Sequence, residues 1–525
     1  MSWACGWKSS AMGSPEPVTP IVQLPIEMLC TIFDYLDLES VKNASLACKR
    51  FKQVIFSDYY IKRFGLRITL GRKLNPAVAS ATFDERDRPV TRPFALGTGR
   101  NLSECDRDEM TQLLTQSERR YRNVTLDFEY CNESRSSISL LYQMLCPHRW
   151  EQELVELRLL ITHWADMMVV LVVQTIPHMK RLRSLYVCAD TEVNPARFAV
   201  GSLHLQNDTV THLQLKALLP VTFSLPALRS FDVMFHPIQL MQVLFFQEQF
   251  YHKGFEHLKE LTITSSAGDN SLHRLLTSDS VCRPAFKKRF FQKLTCLEKL
   301  QLLEKSTPES IFITICQSCS ALRELRIRRL HILDSVALCH LSNLRHLQRL
   351  TIHAVAWRSP ISFAECHLPR LERLQLDFAS IQYSTLTFCP AVTKLSIHVN
   401  AQCFKDLIRT ISVHMQRLTE LSVFTCDELF LNGLISLLPR LRHLRVFEFQ
   451  GGIFPKGWLK PIIANPMPEL YKLAFRRSTF ESLPSVKHPE LRAAFPNLQL
   501  LDISECNPPL LMDAQNAVLA VCYRM

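Results

Sequence analysis

Glycine is scarce in this chain, with 13 among 525 residues. So little glycine leaves few positions for flexible linkers or for glycine-built loops that cradle phosphates. Long apolar runs are missing too. The longest, Met167 to Val173 and on to Ile176, is about half of what crosses a bilayer. Met1 to Pro20 has no apolar core of the kind a secretory leader carries. These absences set the expectation of a soluble protein of the cytoplasm, the nucleus or both, in a reducing compartment. Catalytic signatures are absent as well: there is no G-x-S-x-G, H-E-x-x-H or phosphate-binding loop. His163, His178, His331, His340, His346 and His353 lie singly beside apolar residues, so none is expected to act as a base. The chain is therefore expected to be non-catalytic, with no cofactor and no metal.

Cysteine is plentiful, at 18 residues, but most sit inside apolar segments, where a reduced thiol packs as a small hydrophobe. Cys316 and Cys319 form a lone C-x-x-C; zinc would need a second pair, and redox chemistry a different context. The 28 prolines are spread along the chain as turn punctuation. The formal charge of +12 fits either an anionic partner or a solvated basic surface.

One stretch, Leu24 to Phe51, is dense in apolar residues and too short to bury them all. Pro25 suits the first turn of a helix, where its missing N–H is not needed. Ile26, Leu29, Ile32, Phe33 and Leu36 then recur at helical spacing. A second helix is expected from about Glu39, with Val41, Ala44, Leu46, Ala47 and Cys48 apolar. A third runs from Phe51 through Val54, Ile55 and Phe56 toward Phe64. Three short helices make a small core, so a partner or neighbouring domain should cover what remains.

These residues resemble the F-box. The matching positions are Leu24-Pro25, Glu27, Leu29, Ile32-Phe33, Leu36, Val41, Leu46, Cys48, Arg50 and Phe51, over about 42 residues. Phe51 stands where the family often has Trp, and Glu39 is the nearest residue to its early acidic position in the second helix. The resemblance implies docking on the Skp adaptor of SCF-type cullin–RING ubiquitin ligases. It implies that Leu24, Pro25, Ile26, Leu29, Ile32 and Phe33 form much of that contact, with Leu36, Val41 and Leu46 mainly internal.

Beyond residue 120 the chain repeats itself. The unit is Leu-x-x-Leu-x-Leu with other large apolar residues allowed, starting at Leu154, Leu182, Val210, Leu228, Leu258, Leu297, Leu322, Leu347, Leu371, Val392, Leu418, Leu441, Leu470 and Leu498. Tyr121 opens a divergent earlier copy. Thirteen steps cover the 344 residues from Leu154 to Leu498, about 26 per step. The last two apolar positions of a unit lie two apart, so in a strand they share one face. A single unit cannot cover that face; stacked neighbours can. This region resembles leucine-rich repeats, particularly the type whose strand motif ends in Cys, as at Cys426 and Cys506.

The expected fold is thus α/β: a small N-terminal three-helix F-box followed by a curved leucine-rich-repeat solenoid with a parallel sheet on its concave face. The expected divisions are a flexible N-terminus at 1–20, the F-box at 21–65, an irregular connector with a short helical part at 66–120, the solenoid at 121–506 and a helical cap at 507–525. Third, fifth and seventh positions of each unit should line the concave face. They include Glu324, Arg326 and Arg328; Arg349, Thr351 and His353; Arg373, Gln375 and Asp377; Lys394, Ser396 and His398; His443, Arg445 and Phe447. A basic stripe of Arg326, Arg328, Arg349, Arg373, Lys394 and His398 is expected to contact an acidic or phosphorylated segment of a protein substrate. The alternative is a solvated strand surface balanced by Glu324 and Asp377. The architecture points to a non-catalytic substrate receptor of a ubiquitin ligase, with a non-degradative scaffold as the second reading. A nucleic-acid binder is the third, resting on net charge alone and lacking aromatic stacking platforms.

Overall fold

The computed structural model describes residues 21–36, 38–57, 64–69, 92–97, 122–128, 141–142, 145, 153–161, 166–188, 203–216, 221–235, 255–265, 290–303, 307–332, 335–354, 361–378, 381–400, 403–425, 431–481, 488–506 and 520–521. The chain divides into two compact units, Met1–His163 and Trp164–Met525.

The first unit opens with three helices, α1 (Ile26–Asp34), α2 (Leu38–Ala47) and α3 (Lys49–Ile55). Their core is Leu29, Cys30, Phe33, Val41, Val54 and Ile55, with Leu24, Leu36, Ala44 and Phe51 packed against it. Four strands follow: β1 (Phe64–Thr69), β2 (Arg92–Gly97), β3 (Asn123–Phe128) and β4 (Glu156–Ile161). All pair in parallel, in the order β2–β1–β3–β4. Two expectations are corrected here. The third helix stops at Ile55, and Phe64 belongs to a strand. Residues 66–69 and 92–97, expected as irregular connector, belong to strands of the sheet that β3 joins. At 92–97, Pro93 and Gly97 obscured the strand, because the alternation of Phe94 and Leu96 is too short to stand out between turn residues. Residues 101–120, expected to be partly helical, lie outside the described residues.

The second unit starts with α4 (Asp166–Thr175) and β5 (Ser184–Cys188). Then come β6 (Leu203–Gln206), β7 (His212–Lys216), β8 (Val221–Ser224), β9 (Ser230–Phe235), β10 (Glu260–Ser265), β11 (Lys299–Leu303) and β12 (Thr307–Pro308). Next are α5 (Glu309–Ser318), β13 (Glu324–His331), α6 (Val336–Cys339), β14 (Arg349–Ala354), β15 (Arg373–Asp377) and β16 (Lys394–His398). The rest is α7 (Phe404–His414), β17 (Glu420–Phe424), α8 (Asn432–Leu437), β18 (Val446–Gln450), β19 (Ile453–Phe454), α9 (Lys460–Ala464), β20 (Lys472–Arg476), β21 (Thr479–Phe480), α10 (His488–Ala494), β22 (Leu500–Ser504) and β23 (Ala520–Val521). One parallel sheet runs β5–β7–β9–β10–β11–β13–β14–β15–β16–β17–β18–β20–β22–β23. The pairs β6–β8 and β19–β21 lie outside it as small parallel sheets.

The repeat closes in two ways. Inward side chains stack in register: Leu325, Leu350, Leu374, Leu395, Leu421, Phe447 and Leu473 are all nearly solvent-free, as are Ile327, Ile352, Leu376, Ile397, Val423, Phe449 and Phe475. A backbone ladder runs alongside. The carbonyl of the residue before each strand accepts from two successive N–H groups of the next unit, passing through Arg323, Gln348, Glu372, Thr393, Thr419, Arg445 and Tyr471. That ladder corrects one frame. The unit expected to start at Leu441 starts at Leu444, because Phe447, not Leu444, lies opposite Leu421. Leucines three residues apart fit both frames, and only the neighbouring strand decides. Phe447 is therefore core, and His443 and Arg445 precede the strand. The expected C-terminal helix is also corrected where it is described: Ala520–Val521 is a strand paired with Leu500–Leu501.

Candidate functional site

Two surfaces carry unspent chemistry. The first is on α1. Leu29, Cys30 and Phe33 point into the core. Met28, Ile32 and Tyr35 form a second apolar stripe at i, i+4 and i+7. Met28 is 52% and Tyr35 84% exposed, and Ile26, at the first turn, 46%; Ile32 is half-buried and Pro25 exposed. A helix with apolar residues on both faces is built to be covered on both.

The expected docking set therefore splits. Pro25, Ile26 and Ile32 are open to a partner, and Leu24 partly so, whereas Leu29 and Phe33 are sealed in the core. Leu36 and Val41 face inward as expected, but Leu46 is 82% exposed. Five residues separate it from Val41, roughly 140° around the helix. Met28 and Tyr35 were missed; an apolar residue out of phase with the core stripe was the available signal.

The motif's polar residues turn out to brace the domain. The Cys48 thiol caps α3 by accepting from the Phe51 N–H at 3.3 Å. Arg50 donates through Nη2 to the Leu24 carbonyl at 2.8 Å, tying α3 to the segment that enters α1. Phe51 meets Phe33 edge-to-face at 5.3 Å. The positions of Leu24, Cys48, Arg50 and Phe51 thus hold α1 so that its outer stripe stays presented.

The second surface is the open face of the β13–β17 sheet. Register arranges it in rows. Glu324, Arg349, Arg373, Lys394 and Glu420 form one row. Its cations are committed: Arg349 lies 3.6 Å from Glu324, and Arg373 3.8 Å from Glu420, which also pairs with Lys394. The next row is Gln301, Arg326, Thr351, Gln375 and Ser396. The expected single stripe is thus two rows, and the longer one is largely neutralised by glutamates at its ends. Beyond them His353 and His398 flank Asp377, each Nδ1 at 3.0 and 2.9 Å from a carboxylate oxygen. An ionised carboxylate only accepts, so both Nδ1 atoms carry the proton. Hydrogen bonds from His353 and then His398 hold the Asp377 carboxyl well below the usual range.

Arg328 sits at a β-bulge. The register shifts between Ile327 and Leu330, so Arg328 and Arg329 both face solvent on one strand. Elsewhere the thiols of the lone C-x-x-C are buried; desolvation pushes Cys319 up to about 12 and Cys316 well above its ordinary value. They are packing thiols held neutral. Among the described residues no group of three His, Cys, Asp or Glu is set to hold a metal ion, and no helix is long and apolar enough to cross a membrane.

The F-box-like family model matches residues 21–67. No curated protein matches the sequence. Solved structures to which the chain is similar include an internalin of Listeria monocytogenes, 14% identical over 67% of this chain and 80% of that one, with a TM-score of 0.33. A leucine-rich-repeat protein of Leptospira interrogans is 12% identical over 76% of this chain and 94% of that one, at 0.36. A chain of the Toll–Spatzle complex of Drosophila is 12% identical over 73% of this chain and 50% of that one, at 0.35. An F-box-like domain followed by leucine-rich repeats defines the class: a protein-interaction module, built from two parts that are typically non-catalytic.

Proposed function

We infer that the chain is the substrate-recognition subunit of an SCF-type cullin–RING ubiquitin ligase. The F-box-like unit docks on the Skp adaptor, and the repeats hold a client protein for ubiquitination by the complex's catalytic subunits. The supporting observation is the outer apolar stripe of α1, left open on a domain that already has its own core. The chain's part in ubiquitin transfer is proximity, which can supply several kcal/mol of a barrier without any catalytic group. Its place of action is the cytoplasm, the nucleus or both.

Affinity purification of the full chain with a Skp adaptor and a cullin is the test. Met28→Asp with Ile32→Asp should reduce adaptor recovery about tenfold or more while leaving the folded arm intact. Undiminished recovery would remove the reading. The alternative, a scaffold using the same modules, predicts that the double variant leaves the client's half-life unchanged; the receptor reading predicts that the client accumulates.

A further inference from the structure

On this reading of the repeats as the client-holding part, we propose that Arg326, Arg328 and Arg329 on β13 are the anchor for an extended, carboxylate-rich segment of the client. The longer cation row beside them is not.

Pairing separates the two groups. Arg349, Arg373 and Lys394 are within ion-pair distance of Glu324 or Glu420. Arg326, Arg328 and Arg329 are exposed and have no ion pair with any described residue. The register neighbours of Arg326 are neutral, Gln301 on one side and Thr351 on the other. The nearby carboxylates are engaged elsewhere. Glu324 takes a hydrogen bond from Gln301 at 3.1 Å as well as the Arg349 pair, and both oxygens of Asp377 are taken by histidines.

Backbone geometry concentrates the three. The alternation of a regular strand would send Arg329 to the opposite face from Arg328. The bulge places two residues of β13 against one of β14, so both guanidiniums reach solvent while Leu330 returns to the core. Three guanidinium forks within four residues suit carboxylates, each able to take paired hydrogen bonds. Thr351, Gln375 and Ser396 continue the row from Arg326 as neutral hydrogen-bonding groups, which suit a peptide backbone. That row has no Phe, Tyr or Trp on which a base would stack, so a nucleic acid is the poorer fit.

The test uses the full chain and a fluorescein-labelled ten-residue poly-glutamate peptide, read by anisotropy in low salt. R326Q/R328Q/R329Q should weaken binding about tenfold or more, whereas R349Q/R373Q should weaken it less than about threefold. Equal losses from the two variants, absence of saturable binding to the native chain, or tighter binding of a single-stranded oligonucleotide of equal charge would each overturn the proposal. A peptide of phosphoserine and glycine that binds when the glutamate peptide does not would also overturn it. Matching melting curves exclude unfolding as the cause. Adaptor recovery is measured on the same proteins. Loss of peptide binding with the adaptor retained concerns this anchor alone, and peptide binding without any adaptor concerns only the ligase reading.

Discussion

The helical unit and the repeats solve the same problem differently. Both must hide apolar side chains, but among the described residues the three helices have a core of six buried ones and leave Met28, Tyr35 and Leu46 in water. Each repeat hides its strand residues against two neighbours, and its open face keeps polar and charged groups. A solenoid closes its apolar face unit by unit. A bundle of about thirty residues cannot, since too little of its surface is interior. The difference teaches where binding energy is stored: as uncovered apolar area in the helices, and as unpaired charge on the strands.

Large-to-small changes should break this contrast most sharply. Phe475→Ala removes a ring packed on Phe454 at 4.7 Å and Trp458 at 5.3 Å, at a cost of about 4 kcal/mol. Leu29→Ala should cost about 3 kcal/mol, a large part of what so small a core supplies. Hydrogen exchange should then show 26–55 opening in the Leu29 variant alone. A Leu29 variant that opens the repeats equally would mean the two parts do not fold separately.

Gly451→Ala sharpens the account of the repeat turns. Gly451 has φ +85°, and a Cβ there would lie 2.2 Å from the Thr425 carbonyl oxygen. The expected loss is about 2–3 kcal/mol by urea unfolding. Arg477 and Glu505, at the equivalent strand ends, adopt the same left-handed conformation without glycine. Their mutual ion pair at 2.6 Å spans the two turns, so a neutral result at Gly451 would show that the turn relaxes.

The smallest effect should come from Asp377→Asn. The Asp377 carboxyl titrates lower folded than unfolded, so its contribution is fully present above the unfolded value and is lost as pH falls through the folded one. With the side chain about half exposed, the gain is less than about 1 kcal/mol. Native and variant melting temperatures should differ near neutral pH and converge in strong acid; a gap that widens on acidification would reverse the assigned sign.

The period of the repeats, the parallel sheet they build and the helical spacing around Pro25 were legible in the residues alone. Each follows from spacing along the chain, within one helix or from one repeat to the next. The frame at Leu444, the strands at 64–69 and 92–97, and the turning inward of Leu29 and Phe33 were not. Nor was the silencing of Arg349, Arg373 and Lys394 by glutamates one or two strands away, or the bulge that frees Arg328 and Arg329. Those outcomes depend on which residue of a neighbouring repeat or helix lies opposite, a contact between separate elements that no local pattern encodes.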